Sequence, residues 1–524
     1  MTDSQNLSFL ISLKDIAEFA EVKRPSVVSN WRRRYEDFPL PRLETASGSL
    51  FDFGEVQAWL LATKRLSKPV PPENILWNLA SSLRQWLEPS TISRFVIALL
   101  VYLEACERHS EFHISEEDRW TQIVEFGEDE AVHRLIDAAR RIEQANQGLQ
   151  SLMLPALEVA IEMPSRIVIS LVQMLEASVL NEVTRTDLYE EMLRWRDEYS
   201  RFLGEGSTSW PLAELMSMIA VTRGPKVLDP AVGQGFILRL MDSMDQWPGT
   251  ERQFIGFDTN EEVLDLCRAG CLFWRAEVEV HRADSLRDGD VLRVQADVVV
   301  ADPPYGVGGW SAPGASKDPR WIYGVPSPNS SDFAWLETVI QSLRPGGVGL
   351  VLLPKSSASV GGRDGEIRKA MLEDGAVSAM VLLPGRLRKN TSVPLVLWVV
   401  RRPIPDEEVG ENLLLIDASS TGSPGRDLHV FDQSELNSLA KSVIAFLDGV
   451  ELDQNVPFTQ GVISRRQIPG GDLLQAIVRL TQGGPIDIDA LRARRMELRE
   501  LVESSSVRSM TAINELMVAL EEYR

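Results

Sequence analysis

The chain has 524 residues, 44% of them apolar, and 76 acidic side chains stand against 54 basic ones for a formal net charge of -22. That length holds about three domains. So acidic a chain is a poor lone binder of nucleic acid, because phosphate neutralisation carries most of that affinity. No apolar run approaches the roughly 18 residues of a membrane span, and the N-terminus lacks a signal-peptide pattern. Three cysteines (Cys106, Cys267, Cys271) without a C-x-x-C pair, and five scattered histidines, speak against a metal site. A reduced, cytoplasmic protein is expected.

Residues 1–66 read as a small helical module. Leu13 to Ala20 carries an apolar stripe, and a turn around Val22-Lys23-Arg24-Pro25 leads to a second helix from Ser26 to Tyr35. A short hairpin through Gly48 and a third stretch ending near Leu60 complete it. The module resembles the winged helix-turn-helix of MerR-like and excisionase-like regulators. Lys23, Arg24, Arg32, Arg33 and Arg34, with no acid among them, suit phosphate contact by a recognition helix. A solvated helix face or a protein-docking module is the alternative.

Ser67 to Pro72 is a stiff linker. Residues 73–202 form a helical domain, with helices expected over Ile75–Trp86, Thr91–Glu107, Glu130–Gln144, Ser165–Glu176 and Leu188–Phe202. From 203 to 403 strands and helices alternate as in a doubly wound α/β sheet. The apolar strand before Asp229 runs into a turn with Gly233 and Gly235, where glycine permits a tight bend and close approach of a ligand. A dinucleotide-binding turn is the rival, but Leu238 stands where its third glycine belongs. Phe254–Asp258 is the second strand, and its acid is spaced to reach ribose hydroxyls. Val280–Ser285 ends the third strand beside Asp284. An acid after a strand is otherwise often a helix cap.

Ala296–Val300 reads as a short buried strand. Pro303 and Pro304 stop it and leave Asp302 and Tyr305 at its carboxyl end, where open α/β sheets bind ligands. The following Gly-, Pro- and Ser-rich segment up to Ser331, with Trp310, Trp321 and Tyr323, reads as a lid ordered by substrate. A helix from Asp332 and strands over Gly347–Leu353, Met380–Leu383 and Leu395–Val400 follow. Residues 404–524 start with the strand Leu413–Ile416 and end in helical stretches. There Met510, Ile513, Met517 and Leu520 are spaced as a seam, for packing on the chain itself or on another subunit.

Asp229-Pro230-Ala231-Val232-Gly233-Gln234-Gly235 together with Asp302-Pro303-Pro304-Tyr305 resemble the γ-class DNA amino-methyltransferases, and among them the modification subunits of type I restriction–modification systems. Segments such as Leu343-Arg344-Pro345-Gly346-Gly347 and Leu383-Pro384-Gly385 extend the resemblance over roughly residues 73–420. It implies a Rossmann-like class I fold dependent on S-adenosylmethionine. Thr208, Trp210 and Pro211 match loosely a segment that closes over that cofactor. Asp229, Pro230, Ala231, Gly233, Gly235, Phe236, Asp258, Thr259, Asp284 and Ser285 would contact it, Asp284 through the adenine amino group. Asp302, Pro303, Pro304 and Tyr305 would act on the amine of an extruded adenine, without a metal. Many of these subunits carry Asn where Asp302 stands, and they do not usually begin with a helix-turn-helix. The implied partners are double-stranded DNA and a specificity subunit, with or without a restriction subunit, or a second copy of the chain. Two rival readings are a DNA-binding scaffold with an inactive methyltransferase domain, and a methyltransferase of RNA or of protein glutamine. N4-cytosine is disfavoured, since those enzymes more often carry Ser before Pro-Pro.

Overall fold

The computed structural model describes residues 10–20, 22, 24–45, 48–68, 83–179, 184–199, 208–244, 252–274, 276–311, 317–388, 392–406, 410–425 and 429–482. Lys23, most of the helix expected at Ile75–Trp86 and the C-terminal seam from Met510 to Leu520 lie outside them.

Near the N-terminus the strands β1 (Leu10–Ser12), β2 (Pro41–Thr45) and β3 (Gly48–Asp52) form an antiparallel sheet in the order β1-β3-β2. The helices Leu13–Phe19, Pro25–Arg34 and Phe53–Ala62 pack with it. Asp52 caps the last of these by accepting from Glu55 N–H at 3.0 Å.

The middle of the chain is helical. Pro89–Glu107, Glu128–Ala145, Ser165–Val179 and Arg185–Tyr199 share one apolar core. Contrary to the expectation of no such run, Pro89–Glu107 is long and apolar enough to reach across a membrane, but 67% of its apolar window is buried within this helical layer. The same core takes in Leu266, Ala269 and Phe273 of the helix Glu261–Trp274, so the layer docks on the large sheet's flank.

That sheet contains β4 (Lys226–Asp229), β5 (Gln253–Asp258), β6 (Val278–Arg282), β7 (Ala296–Ala301), β8 (Leu343–Pro354), β9 (Val377–Leu382), β10 (Leu395–Arg401) and β11 (Asn412–Asp417). After a two-stranded ribbon of β12 (Ser423–Pro424) and β13 (His429–Val430), β14 (Thr459–Ser464) closes the order β14-β11-β9-β10-β8-β7-β4-β5-β6. Strands β4 to β8 pair in parallel, whereas β10 runs antiparallel to both β8 and β9. The sheet continues past residue 403, since β11 pairs with β9 and β14 with β11.

Alternation along the strands splits the core in two. Val227, Val298, Leu350 and Leu397 face the helices Trp210–Ala220, Phe236–Ser243 and Gln433–Leu447. Leu228, Val299, Val351 and Trp398 face Asp332–Ser342, Gly362–Glu373 and Leu473–Gln482. The chain leaves β4 towards β5 and β6 and returns on β4's other side as β7. This reversal opens a crevice at the carboxyl ends of β4 and β7, where a doubly wound sheet binds ligands.

Candidate active site

β4 ends on Asp229, and the chain then turns towards the helix Phe236–Ser243. Gly233 (φ 53°) and Gly235 (φ 72°) adopt the left-handed conformation that glycine alone enters readily. A Cβ on Gly235 would also run into Cys267 Sγ. Backbone N–H groups pin the turn: Ala231 donates to Asp229 Oδ1 at 3.0 Å, Gly233 to Asp258 Oδ2 at 3.1 Å, and Val232 to the Phe257 carbonyl at 2.8 Å. Behind it the fully buried Arg239 donates to the Gln234 carbonyl and, at 3.1 Å, to Glu190 Oε1, tying the glycine turn to the helix Arg185–Tyr199. Burial pushes the Asp229 carboxyl up to about 7, against the Ala231 N–H and with the help of the Asp258 charge.

One strand over, β7 is buried along its whole length and stops at the two prolines. The Asp302 side chain is 2% exposed and is ion-paired with Arg388 through Oδ1 and Nη2. Asp302 Oδ2 and Arg388 Nε are buried and find no hydrogen-bond partner among the described residues. The guanidinium lies over Tyr305, its Cζ 5.1 Å from the ring centroid. Burial lowers the Arg388 pKa to about 10, which leaves it cationic at neutral pH. The Pro304 carbonyl accepts from Ser331 Oγ and Trp335 Nε1, both at 3.2 Å, and Gly306 N–H donates to Asp332 Oδ1 at 2.8 Å. These bonds hold the Pro-Pro turn against the helix Asp332–Ser342.

Between the two strand tips lies a cavity of about 300 Å³, and a second of about 310 Å³ adjoins it through Ala231, Asp258, Thr259 and Pro304. Of the residues expected from sequence, Thr208, Asp229, Ala231, Gly233, Phe236, Asp258, Thr259, Asp302, Pro303 and Pro304 line the first. Pro230, Asp284 and Ser285 line the second. Gly235 shapes the turn without lining either. Trp210 and Pro211 line neither cavity; Trp210 is 48% exposed and rests its ring on Phe236, centroids 5.1 Å apart. Tyr305 lines neither and sits beneath Arg388. β6 stops at Arg282, three residues short of the strand end expected from sequence, so Asp284 stands in the loop beyond. There it accepts from Leu286 N–H at 3.0 Å and is 3.5 Å from Arg287, capping a turn while it faces the cavity.

Several side chains here carry no motif. Arg388, Arg196, Asn260 and Val263 complete the first cavity. Arg287, Trp310 and Trp335 wall the second. Arg287 donates to the Trp310 and Gly309 carbonyls at 3.0 and 3.1 Å, and Trp310 Nε1 to the Ser327 carbonyl at 2.9 Å, which fixes the described part of the expected lid over the second cavity.

On the N-terminal module the basic residues are divided. Arg24 is the N-cap of Pro25–Arg34, and Arg32, Arg33 and Arg34 occupy its last turn, so roughly 13 Å of helix separates them. Arg24, Arg32, Arg33 and Arg34 are all exposed, and Arg32 also reaches Ser49 Oγ at 2.9 Å.

Comparison with known proteins adds to this geometry. A family profile described as N-6 DNA Methylase matches residues 184–460, more than half of the chain. The HindI methylase subunit of a type I restriction enzyme from Haemophilus influenzae is 34% identical over 175 residues, covering 33% of this chain and 39% of the relative. The MjaIX methylase subunit of Methanocaldococcus jannaschii is 25% identical over 278 residues, 51% of this chain and 50% of the relative. The chain thus spans half or less of the length of these curated relatives. In fold it is similar to the methyltransferase subunit of a type I restriction-modification system from Streptococcus thermophilus, with a TM-score of 0.61 at 21% identity, over 76% of this chain and 96% of that one.

Proposed function

We propose, from the premise that this chain belongs to the N-6 DNA methylase family, that it methylates the N6 amine of adenine in DNA, using S-adenosylmethionine. One observation carries the reading: the Asp302 carboxylate, with a buried oxygen that finds no partner among the described residues, stands at the tip of β7 and lines one cavity with the glycine turn at the tip of β4.

The residues fit the cofactor. Gly233 puts no side chain between the turn and the cavity, Asp229 suits an ammonium, Asp258 suits ribose hydroxyls, and Asp284 with Ser285 in the adjoining cavity suits an adenine. When bound, the cofactor supplies a methyl group on a sulfonium leaving group.

The adenine amine is a weak nucleophile, because its lone pair is delocalised into the ring. Asp302 and the Pro303 carbonyl accept its two hydrogens, which draws the nitrogen towards a tetrahedral form with the lone pair available. Asp302 then holds the surplus proton. Tyr305 supplies an aromatic face to a base swung out of the duplex. Holding both reactants in line accounts for most of the gain.

The N-terminal module serves as a winged helix-turn-helix, and its exposed Arg24, Arg32, Arg33 and Arg34 meet phosphates. The similarity to proteins named methylase subunits supports assembly with a specificity subunit, and so does a net charge of -22, which leaves much of the DNA grip to a partner. The test is mass spectrometry of nucleosides from DNA incubated with S-adenosylmethionine and the chain together with its co-purifying subunits. N6-methyldeoxyadenosine is expected. Methylated cytosine alone, or no methylated nucleoside in the DNA, would contradict the reading.

A further inference from the structure

We propose that Arg388 is a stand-in for the target base: its guanidinium holds the base's place until the base displaces it. The inference rests on the adenine reading above and goes beyond it, because it assigns a specificity role to a residue outside both motifs.

Two independent contacts support it. A base in this site needs an N–H donor to Asp302 and a flat face against Tyr305. The Arg388 guanidinium makes both, as an ion pair to Asp302 and a planar group over the Tyr305 ring. A guanidinium is flat, delocalised and rich in N–H donors, which makes it a close mimic of the amine edge of adenine. Nor is this a surface pair that solvent would exchange freely, since the two side chains are only 13% and 2% exposed. Tyr305 lines neither cavity, although the base reading requires its ring.

Such an occupant tunes entry by competition. A buried carboxylate stripped of its cation is costly, so the guanidinium yields only to a group that restores what it withdraws. Adenine brings an exocyclic amine and a stacking face. Thymine offers a single N3–H in place of the amine's two hydrogens, so it cannot satisfy Asp302 and the Pro303 carbonyl together and competes less well with the guanidinium. The apparent affinity for the correct base falls by the fraction of time the site stands open.

The experiment is titration of 9-methyladenine into the full-length chain saturated with S-adenosylhomocysteine, comparing the wild type with Arg388→Ala and Arg388→Lys. Cooperative thermal unfolding of each variant is checked beforehand. Arg388→Ala is expected to bind about tenfold tighter than the wild type or better. Arg388→Lys keeps the charge but lacks the planar face, so it should fall between the two, and it carries the test alone if the alanine variant does not fold. Binding by the variants that equals or is weaker than that of the wild type would overturn the stand-in role and make Arg388 a permanent partner of Asp302, with the adenine reading intact. No binding of 9-methyladenine by any form, with S-adenosylhomocysteine still bound, would overturn the inference and the adenine reading together.

Discussion

Asp229 shows how far a side chain's surroundings can move its chemistry. It is 2% exposed, and burial raises its pKa to about 7, so near neutrality it is divided between charged and neutral forms. Because the folded pKa lies above the ordinary value of about 4, the native chain holds this proton longer than the unfolded one does. The stability it contributes is complete below about pH 4 and declines as pH rises to about 7. Ligand binding should run the opposite way. A cofactor whose ammonium needs the ionised carboxylate must expel a proton at lower pH. The affinity for S-adenosylhomocysteine is therefore expected to drop below about pH 7, by up to about tenfold per pH unit, and to be flat over this range in Asp229→Asn. Calorimetric titration between pH 5.5 and 8 measures this, and equal slopes in the two proteins would refute it. The motif made Asp229 and Asp302 legible in the sequence, because strand, glycine and proline signals converge on them. Arg388 was not legible: it lies 86 residues from Asp302, and only the return of the chain as β10 beside β8 brings it to the same strand tip.

Elements were easier to read than side chains. The strands expected at Phe254–Asp258, Leu395–Val400 and Leu413–Ile416 stand within a residue of those observed, since apolar β-branched runs bounded by turn residues leave few alternatives. β14 carried no such signal. It is an edge strand, half exposed, whose Thr-Gln-Gly-Val-Ile-Ser becomes a strand through pairing with β11. β8 begins four residues before the strand expected from Gly347, because its opening Leu343-Arg344-Pro345-Gly346-Gly347 reads as a loop. The anchorage of the segment expected to be a lid carries no sequence signal either. Glu337, wholly buried on the helix Asp332–Ser342, accepts from Tyr323 N–H at 3.0 Å, and Tyr323 donates its hydroxyl to Asp374 Oδ2 at 2.6 Å. Burial pushes the Glu337 carboxyl up to about 8, against the N–H groups of Tyr323 and Ile322. Its raised value means that its stabilising contribution disappears as pH climbs to about 8, at roughly 1.4 kcal/mol per pH unit from about pH 5. In Glu337→Gln that slope should be missing, so the variant gains on the wild type towards alkaline pH. Urea unfolding at pH 6, 7 and 8 reports the difference, and a gap independent of pH would argue against a neutral Glu337.

At the scale of the molecule, a chain of net charge -22 keeps an arginine helix turn at one end and a methylase-type crevice in its large sheet. The helical layer lies against that sheet, and through Glu190 and Arg239 it reaches the glycine turn. Composition gave the acidic excess, but nothing in it told which faces would carry the remaining basic groups. The crevice is the centre of the account, and replacing Asp302 alone would strand the Arg388 cation at a cost of about 3–5 kcal/mol. The most direct measurement is therefore tritiated methyl transfer to DNA by the chain with its co-purifying subunits, comparing the wild type with Asp302→Ala/Arg388→Ala, and with S-adenosylhomocysteine binding followed on the same preparations. Transfer by the wild type alone, with the ligand bound by both, is expected; undiminished transfer by the double variant would contradict the role of Asp302.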